Sequence, residues 1–144
     1  MAKRFETNID INREDKASDL FCKLYGYTKQ KLDKNDIDFK IYKDGKFICF
    51  LEVKGRIRNT DNAYPLPVSI RKILKMQDKK VNGVMLWACE DGIIFSRLDK
   101  LKGGIKIGGR KPRDGSTNDI EFMAYFDKSD NLKEYKYIWN LEIL

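Results

Sequence analysis

Glu52 and Lys54 stand two residues apart at the end of Lys46-Phe47-Ile48-Cys49-Phe50-Leu51, the strand expected to be the most buried, so a core element ends in a carboxylate and an amine. Strand alternation puts both side chains on one face, about 7 Å apart along the backbone, continuing the face of Ile48 and Phe50. Two further acids, Asp36 and Asp38, lie just upstream across an expected hairpin. Carboxylates that converge at the mouth of an apolar sheet repel one another unless a hard divalent cation neutralises them, and a neighbouring lysine can then stabilise an anion on that cation. Those residue types suit metal-dependent phosphodiester chemistry.

Composition narrows the alternatives. The chain of 144 residues contains no histidine, which excludes serine and cysteine triads, histidine-metal nuclease sites and most zinc hydrolase sites. Its three cysteines, Cys22, Cys49 and Cys89, are far apart in apolar stretches and read as reduced core residues. The length suits a single domain spanning 1–144. No apolar run reaches the roughly 20 residues of a membrane span, and the Met-Ala-Lys-Arg start lacks a secretory hydrophobic segment. The expectation is a soluble, cytoplasmic protein with no membrane partner. A formal net charge of +7 suits a polyanionic partner. Lys100, Lys102, Lys106, Arg110, Lys111 and Arg113 form an acid-free, glycine-rich stretch able to follow a phosphate backbone, and a solvated basic loop explains the same charges equally well.

The elements that must position the acids follow from periodicity. Asn12 is expected to cap a helix from Arg13 to Tyr25, with Ala17, Leu20, Phe21 and Leu24 as its apolar stripe and Gly26 at its end. A polar, lysine-rich turn leads to a hairpin of Phe39 to Tyr42 and Phe47 to Val53 around Asp44-Gly45. Pro65 and Pro67 introduce a second, basic helix through about Lys80, with Ile70, Ile73, Leu74, Gln77 and Val81 on its stripe. Strands are expected at Gly83 to Cys89, Ile93 to Arg97, Glu121 to Phe126 and Tyr135 to Trp139. The order predicts an α/β fold, a mixed β-sheet flanked by helices.

Hairpin register decides whether the acids meet. A two-residue Asp44-Gly45 turn pairs Lys43 with Lys46, sets Asp38 opposite Leu51 and splits the site. A three-residue loop with Gly45 as a left-handed bulge pairs Tyr42 with Lys46 and Asp38 with Phe50, which leaves Asp36, Asp38, Glu52 and Lys54 on one face. The second register is the expectation.

Asn35-Asp36-Ile37-Asp38-Phe39 through Phe50-Leu51-Glu52-Val53-Lys54 resembles the Asp and Glu-x-Lys core of the PD-(D/E)XK nuclease superfamily, over about the first two thirds of the chain. Ile37 stands where that pattern has proline, which leaves Asp36 as a competitor of Asp38; Asp38 is preferred because it directly opens the apolar alternation of Phe39 and Ile41. The segment from Gly108 through Arg113 and Asp114 to Asp119-Ile120-Glu121 is also similar to a stretch of small phage-encoded proteins of this type. The resemblance implies the restriction-endonuclease-like fold and an endonuclease acting on DNA. It implies Mg²⁺, with Mn²⁺ as substitute, held by Asp38, Glu52 and the Val53 carbonyl, beside Lys54. Glu14 resembles a helix carboxylate that adds a ligand in some members; an acid favourably placed near a helix N-terminus explains it equally well. Lys72 would touch the scissile phosphate from the second helix, with Gln77 as competitor, and Arg56 and Arg58 would contact phosphates beyond the metal strand. Minimal members often act as dimers that cut both strands, so the resemblance suggests a homodimer. A phage origin would favour junction resolution or branched-DNA processing in the host cytoplasm. The alternatives are a non-catalytic nucleic-acid-binding or regulatory protein on the same fold, using the stretch from Lys100 to Arg113, and a structural phage component.

Overall fold

In a computed structural model, residues 8–33, 37–77, 82–109 and 120–137 are described, with backbone alone at 8–11, 105–109, 120 and 121. Asp36, Val81, Arg110, Lys111, Arg113 and Trp139 lie outside the described residues.

Helix α1 spans Asn8–Tyr25 and is followed by β1 (Thr28–Lys31), β2 (Phe39–Lys43) and β3 (Lys46–Gly55). A loop leads to β4 (Leu66–Ser69) and α2 (Ile70–Gln77), then β5 (Gly83–Ala88), β6 (Gly92–Arg97), β7 (Gly103–Gly109), β8 (Ile120–Phe126) and β9 (Lys133–Lys136). Six strands form a mixed sheet in the order β1-β2-β3-β5-β6-β9, and three form a second sheet in the order β4-β8-β7. β3 and β5 run parallel, whereas the other neighbours in the main sheet are antiparallel. This is the expected α/β architecture.

The main sheet buries both faces. Leu51, Val84, Leu86 and Ile93 pack with Ala17, Phe21 and Cys22 of α1 on one side. Phe50, Met85, Trp87 and Ile94 pack with Leu66, Val68, Met76, Ala124 and Phe126 on the other. Such two-sided burial explains why Cys49-Phe50-Leu51 and Val84 to Cys89 read as continuous apolar runs. All three cysteines are free and buried, as expected.

Several elements depart from expectation. Helix α1 begins at Asn8, so Asn12 lies inside it and does not cap it, and Gly103–Gly109, expected within a basic loop, is a strand of the second sheet. The polar segment Thr28–Lys31 is an edge strand, half-solvated and lysine-bearing, a composition that leaves little hydrophobic signal and protects an open edge. Leu66–Ser69 is a strand in the second sheet, where Pro67 is tolerated, so the helix expected from the prolines starts only at Ile70. On α2 Met76 is buried and Ile70 and Ile73 are partly buried against the same core, while Leu74 is 55% exposed and Gln77 ends the helix in solvent.

Hairpin register also differs from both readings of the turn. Asp44 (φ 51°) and Gly45 (φ 79°) form a two-residue left-handed turn, so Lys43 does pair with Lys46. Tyr42 pairs with Phe47 but Ile41 pairs with Cys49, which leaves Ile48 as a β-bulge. Phe39 therefore meets Leu51, and continuing the ladder one step sets Asp38 opposite Glu52.

Candidate active site

Glu52 sits near the end of β3, a central strand, and its side chain points to the layer that holds α2. At 5% exposure it is the one charged residue buried among the described residues. Oε2 receives the Lys72 ammonium at 3.1 Å, while Oε1 is buried with no hydrogen-bond partner. Burial, reinforced by the Asp38 charge, pushes the Glu52 carboxyl up to about 7 despite the opposing pull of Lys72.

Asp38 lies one residue before β2, where the chain bends into the sheet. Its Oδ2 accepts the Val53 backbone N–H at 2.7 Å, which ties this carboxylate to the segment that carries Glu52. Oδ1 faces Lys31 of β1 at 3.6 Å, and the same ammonium pairs with Glu14 of α1. Helix α1 begins at Asn8, so Glu14 lies in its second turn, beyond the reach of most of the helix-end effect. Its ion pair with Lys31 is the better account of its position.

These residues form a chain of charges across the sheet, Glu14 to Lys31 to Asp38 and Lys72 to Glu52. At its centre like charges meet, in Asp38 and Glu52. Lys72 is set on the first turn of α2, where Ser69 caps the helix by accepting the Lys72 N–H at 3.2 Å. Lys54 is exposed two residues beyond Glu52, on the same strand face.

The donor set suits a hard divalent cation. Carboxylate oxygens are the expected ligands, Glu52 Oε1 is buried without a partner, and lysine ammoniums already sit on Glu52 Oε2 and Asp38 Oδ1. Among the described residues no group of three His, Cys, Asp or Glu side chains is close enough to hold an ion by itself, so backbone or water oxygens would have to complete the shell.

Arg56, expected to contact phosphate, is engaged within the chain. Its Nε and Nη2 donate to the Ala63 carbonyl at 3.0 and 2.8 Å, and Nη2 approaches the Pro65 carbonyl at 3.4 Å, which pins the loop between β3 and β4. Arg58 is exposed on that loop. Lys106 has its backbone opposite Met123 in the second sheet. Sequence reasoning missed Lys31. The available signal was the spacing of Lys29 and Lys31 on one strand face against Glu14, Asp15 and Asp19 of α1.

A mixed sheet whose hairpin brings an Asp to the Glu of a Glu-x-Lys strand end, with a helix on one face, defines a restriction-endonuclease-like protein of the PD-(D/E)XK class. Residues 1–133 match the family described as phage putative PDDEXK endonuclease, and the chain belongs to that family. No curated protein matches it. Nucleases of this class generally use divalent metal ions and act on nucleic acid. Among the described residues no helix is long and apolar enough to cross a membrane.

Proposed function

We propose that this chain is a Mg²⁺-dependent DNA endonuclease that hydrolyses phosphodiester bonds, with Mn²⁺ able to substitute. The observation that carries the reading is the Asp38–Glu52 pair: two carboxylates, Glu52 on β3 and Asp38 just before β2, the former with a buried oxygen that lacks a partner. Burying such a pair costs stability unless a cation offsets it. Asp38, Glu52 and the Val53 carbonyl would hold the ion, and Glu14 would join them once Lys31 moved aside.

A bound divalent cation would lower the pKa of an attacking water and draw charge from the phosphoryl oxygens. Lys54 would orient that water or stabilise the developing negative charge as an ammonium. Lys72 would hold Glu52 ionised and reach the scissile phosphate from the start of α2. Arg58, Lys106, Arg110, Lys111 and Arg113 would contact the DNA backbone, whereas Arg56 would support the loop. A phage enzyme of this kind would act in the host cytoplasm, and branched DNA or a junction is the substrate class we favour. Cutting both strands of such a substrate would suit a homodimer.

The test is a panel of branched, single-stranded and duplex DNA, incubated with Mg²⁺, Mn²⁺ or chelator. Metal-dependent cleavage that disappears in Glu52→Ala is the expected result. Salt-sensitive binding that persists in that variant, with no cleavage by the wild type under any metal, would replace the enzyme with a binding protein on the same fold.

A further inference from the structure

We propose that Lys31 is the resident cation of the Glu14–Asp38 pair and competes with the divalent ion for Asp38 Oδ1, leaving that oxygen when the ion binds. This rests on the reading of Asp38 and Glu52 as the metal pair. Asp38 commits Oδ2 to the Val53 N–H, so Oδ1 is its oxygen on offer to a cation, and that is the oxygen Lys31 faces. At 3.6 Å the contact is an ion pair beyond ordinary hydrogen-bond length, weak enough to be displaced. The firmer anchor of Lys31 is Glu14.

Lys29 supplies an internal comparison. Strand alternation puts Lys29 and Lys31 on the same face of β1, and both ammoniums lie over the Phe39 ring, at 4.8 and 4.9 Å. Among the described residues the anionic partners of Lys29 lie on the helix: it donates to Ser18 Oγ at 2.6 Å and pairs with Asp19 at 2.9 Å and Asp15 at 3.5 Å, and its side chain is 20% exposed. Lys31, one pleat further, spans from the helix to the site with 49% exposure. Its flexible stem allows the charge to swing outward from Asp38 while the chain stays anchored in β1. The neutralising role of this ammonium explains how Glu14 and Asp38 coexist before any ion arrives, and its departure would put a positive charge at the rim, where a DNA phosphate could accept it.

Mn²⁺ binding is measured by calorimetry at fixed pH and salt, without DNA, for the wild type, Lys31→Met, Lys31→Arg, Lys29→Met and Asp38→Asn. Removing the competitor in Lys31→Met is expected to tighten Mn²⁺ binding about threefold to tenfold. Lys31→Arg, which keeps the charge, and Lys29→Met are expected to bind like the wild type. Should Lys31→Met fail to fold, Lys31→Gln removes the charge while keeping a donor for Glu14, and the same tightening is expected. Unchanged or weaker binding in the neutral variants, with normal binding in the wild type and a loss in Asp38→Asn, would overturn the role of Lys31 alone. Wild-type binding no different from that of Asp38→Asn would overturn the metal-pair reading and this inference with it.

Discussion

Glu52 gives one carboxylate oxygen to the Lys72 ammonium at 3.1 Å and buries the other without a partner. The strand and the helix therefore supply an incomplete polar cluster, and the missing interaction is the kind a cation provides. Natural cores rarely leave a carboxylate oxygen in this condition, because desolvation without a hydrogen bond costs on the order of several kcal/mol. Local stability is given up where chemistry is expected.

A first consequence is a pH-dependent stability of the metal-free protein. The folded-state pKa of Glu52 is raised from 4.5 to about 7, so the folded chain keeps a proton that the unfolded chain has released. The associated stability is fully present below about pH 4.5 and is lost as pH rises through about 7. The loss amounts to roughly 3 kcal/mol at most. Denaturant unfolding in chelator from pH 5 to 8 is expected to show this decline, and Glu52→Gln is expected to flatten it and to be the more stable protein at pH 8. A decline of equal size in both proteins would assign it to other groups.

Lys72 is the next lever. It lowers the Glu52 pKa against the effects of burial and of Asp38, so Lys72→Met leaves the carboxylate with less compensation. The variant is expected to lose about 1–3 kcal/mol at pH 8 in chelator, with a smaller loss at pH 5, where Glu52 is protonated. Cleavage is expected to fall by at least about tenfold if Lys72 also reaches the phosphate. Denaturation at the two pH values separates the ion pair from simple packing, since lost packing would cost the same at both.

Asp38 serves structure and chemistry through different oxygens, which makes its substitutions informative. Asp38→Asn keeps an oxygen able to accept the Val53 N–H, so its stability is expected to stay within about 1 kcal/mol of the wild type while cleavage is lost. Asp38→Ala abandons that N–H and is expected to lose a further 1–2 kcal/mol or so. Unfolding curves and a cleavage assay on the same preparations check both halves. Full activity in Asp38→Asn would move the ligand elsewhere, with Asp36 the competitor.

The residues of this site were legible before the geometry that joins them. Glu52, Lys54 and Asp38 announce themselves because charge is rare at the end of an apolar strand, whereas Lys72 follows only from the family resemblance. Register was not legible, since the turn residues Asp44 and Gly45 fix only the first pair, Lys43 with Lys46. The bulge at Ile48 that sets Asp38 opposite Glu52 arises in the strand itself, where the Phe47 ring packs on Tyr42 and Phe50 at centroid distances of 6.0 and 5.1 Å. Such packing depends on neighbours that periodicity does not reveal. The same limit hid Lys31: a polar edge strand has no hydrophobic rhythm, and its lysines pair with acids of a helix ten residues or more away in sequence.

Arg56 and Arg58 offer the sharpest separation of support from contact, being two residues apart on one loop. Arg56 donates to the Ala63 and Pro65 carbonyls, so Arg56→Ala strips their partner and is expected to cost about 1–3 kcal/mol, with the salt dependence of DNA binding unchanged among the molecules that fold. Arg58 is exposed, and Arg58→Ala is expected to leave stability within about 0.5 kcal/mol. Its effect belongs to binding: the slope of log affinity against log salt should fall by about one. Titrations of a catalytically silent Glu52→Gln background at several salt concentrations, read beside unfolding curves, give both numbers. A lowered slope for Arg56→Ala with unaltered stability would reverse the two assignments and return Arg56 to the DNA surface.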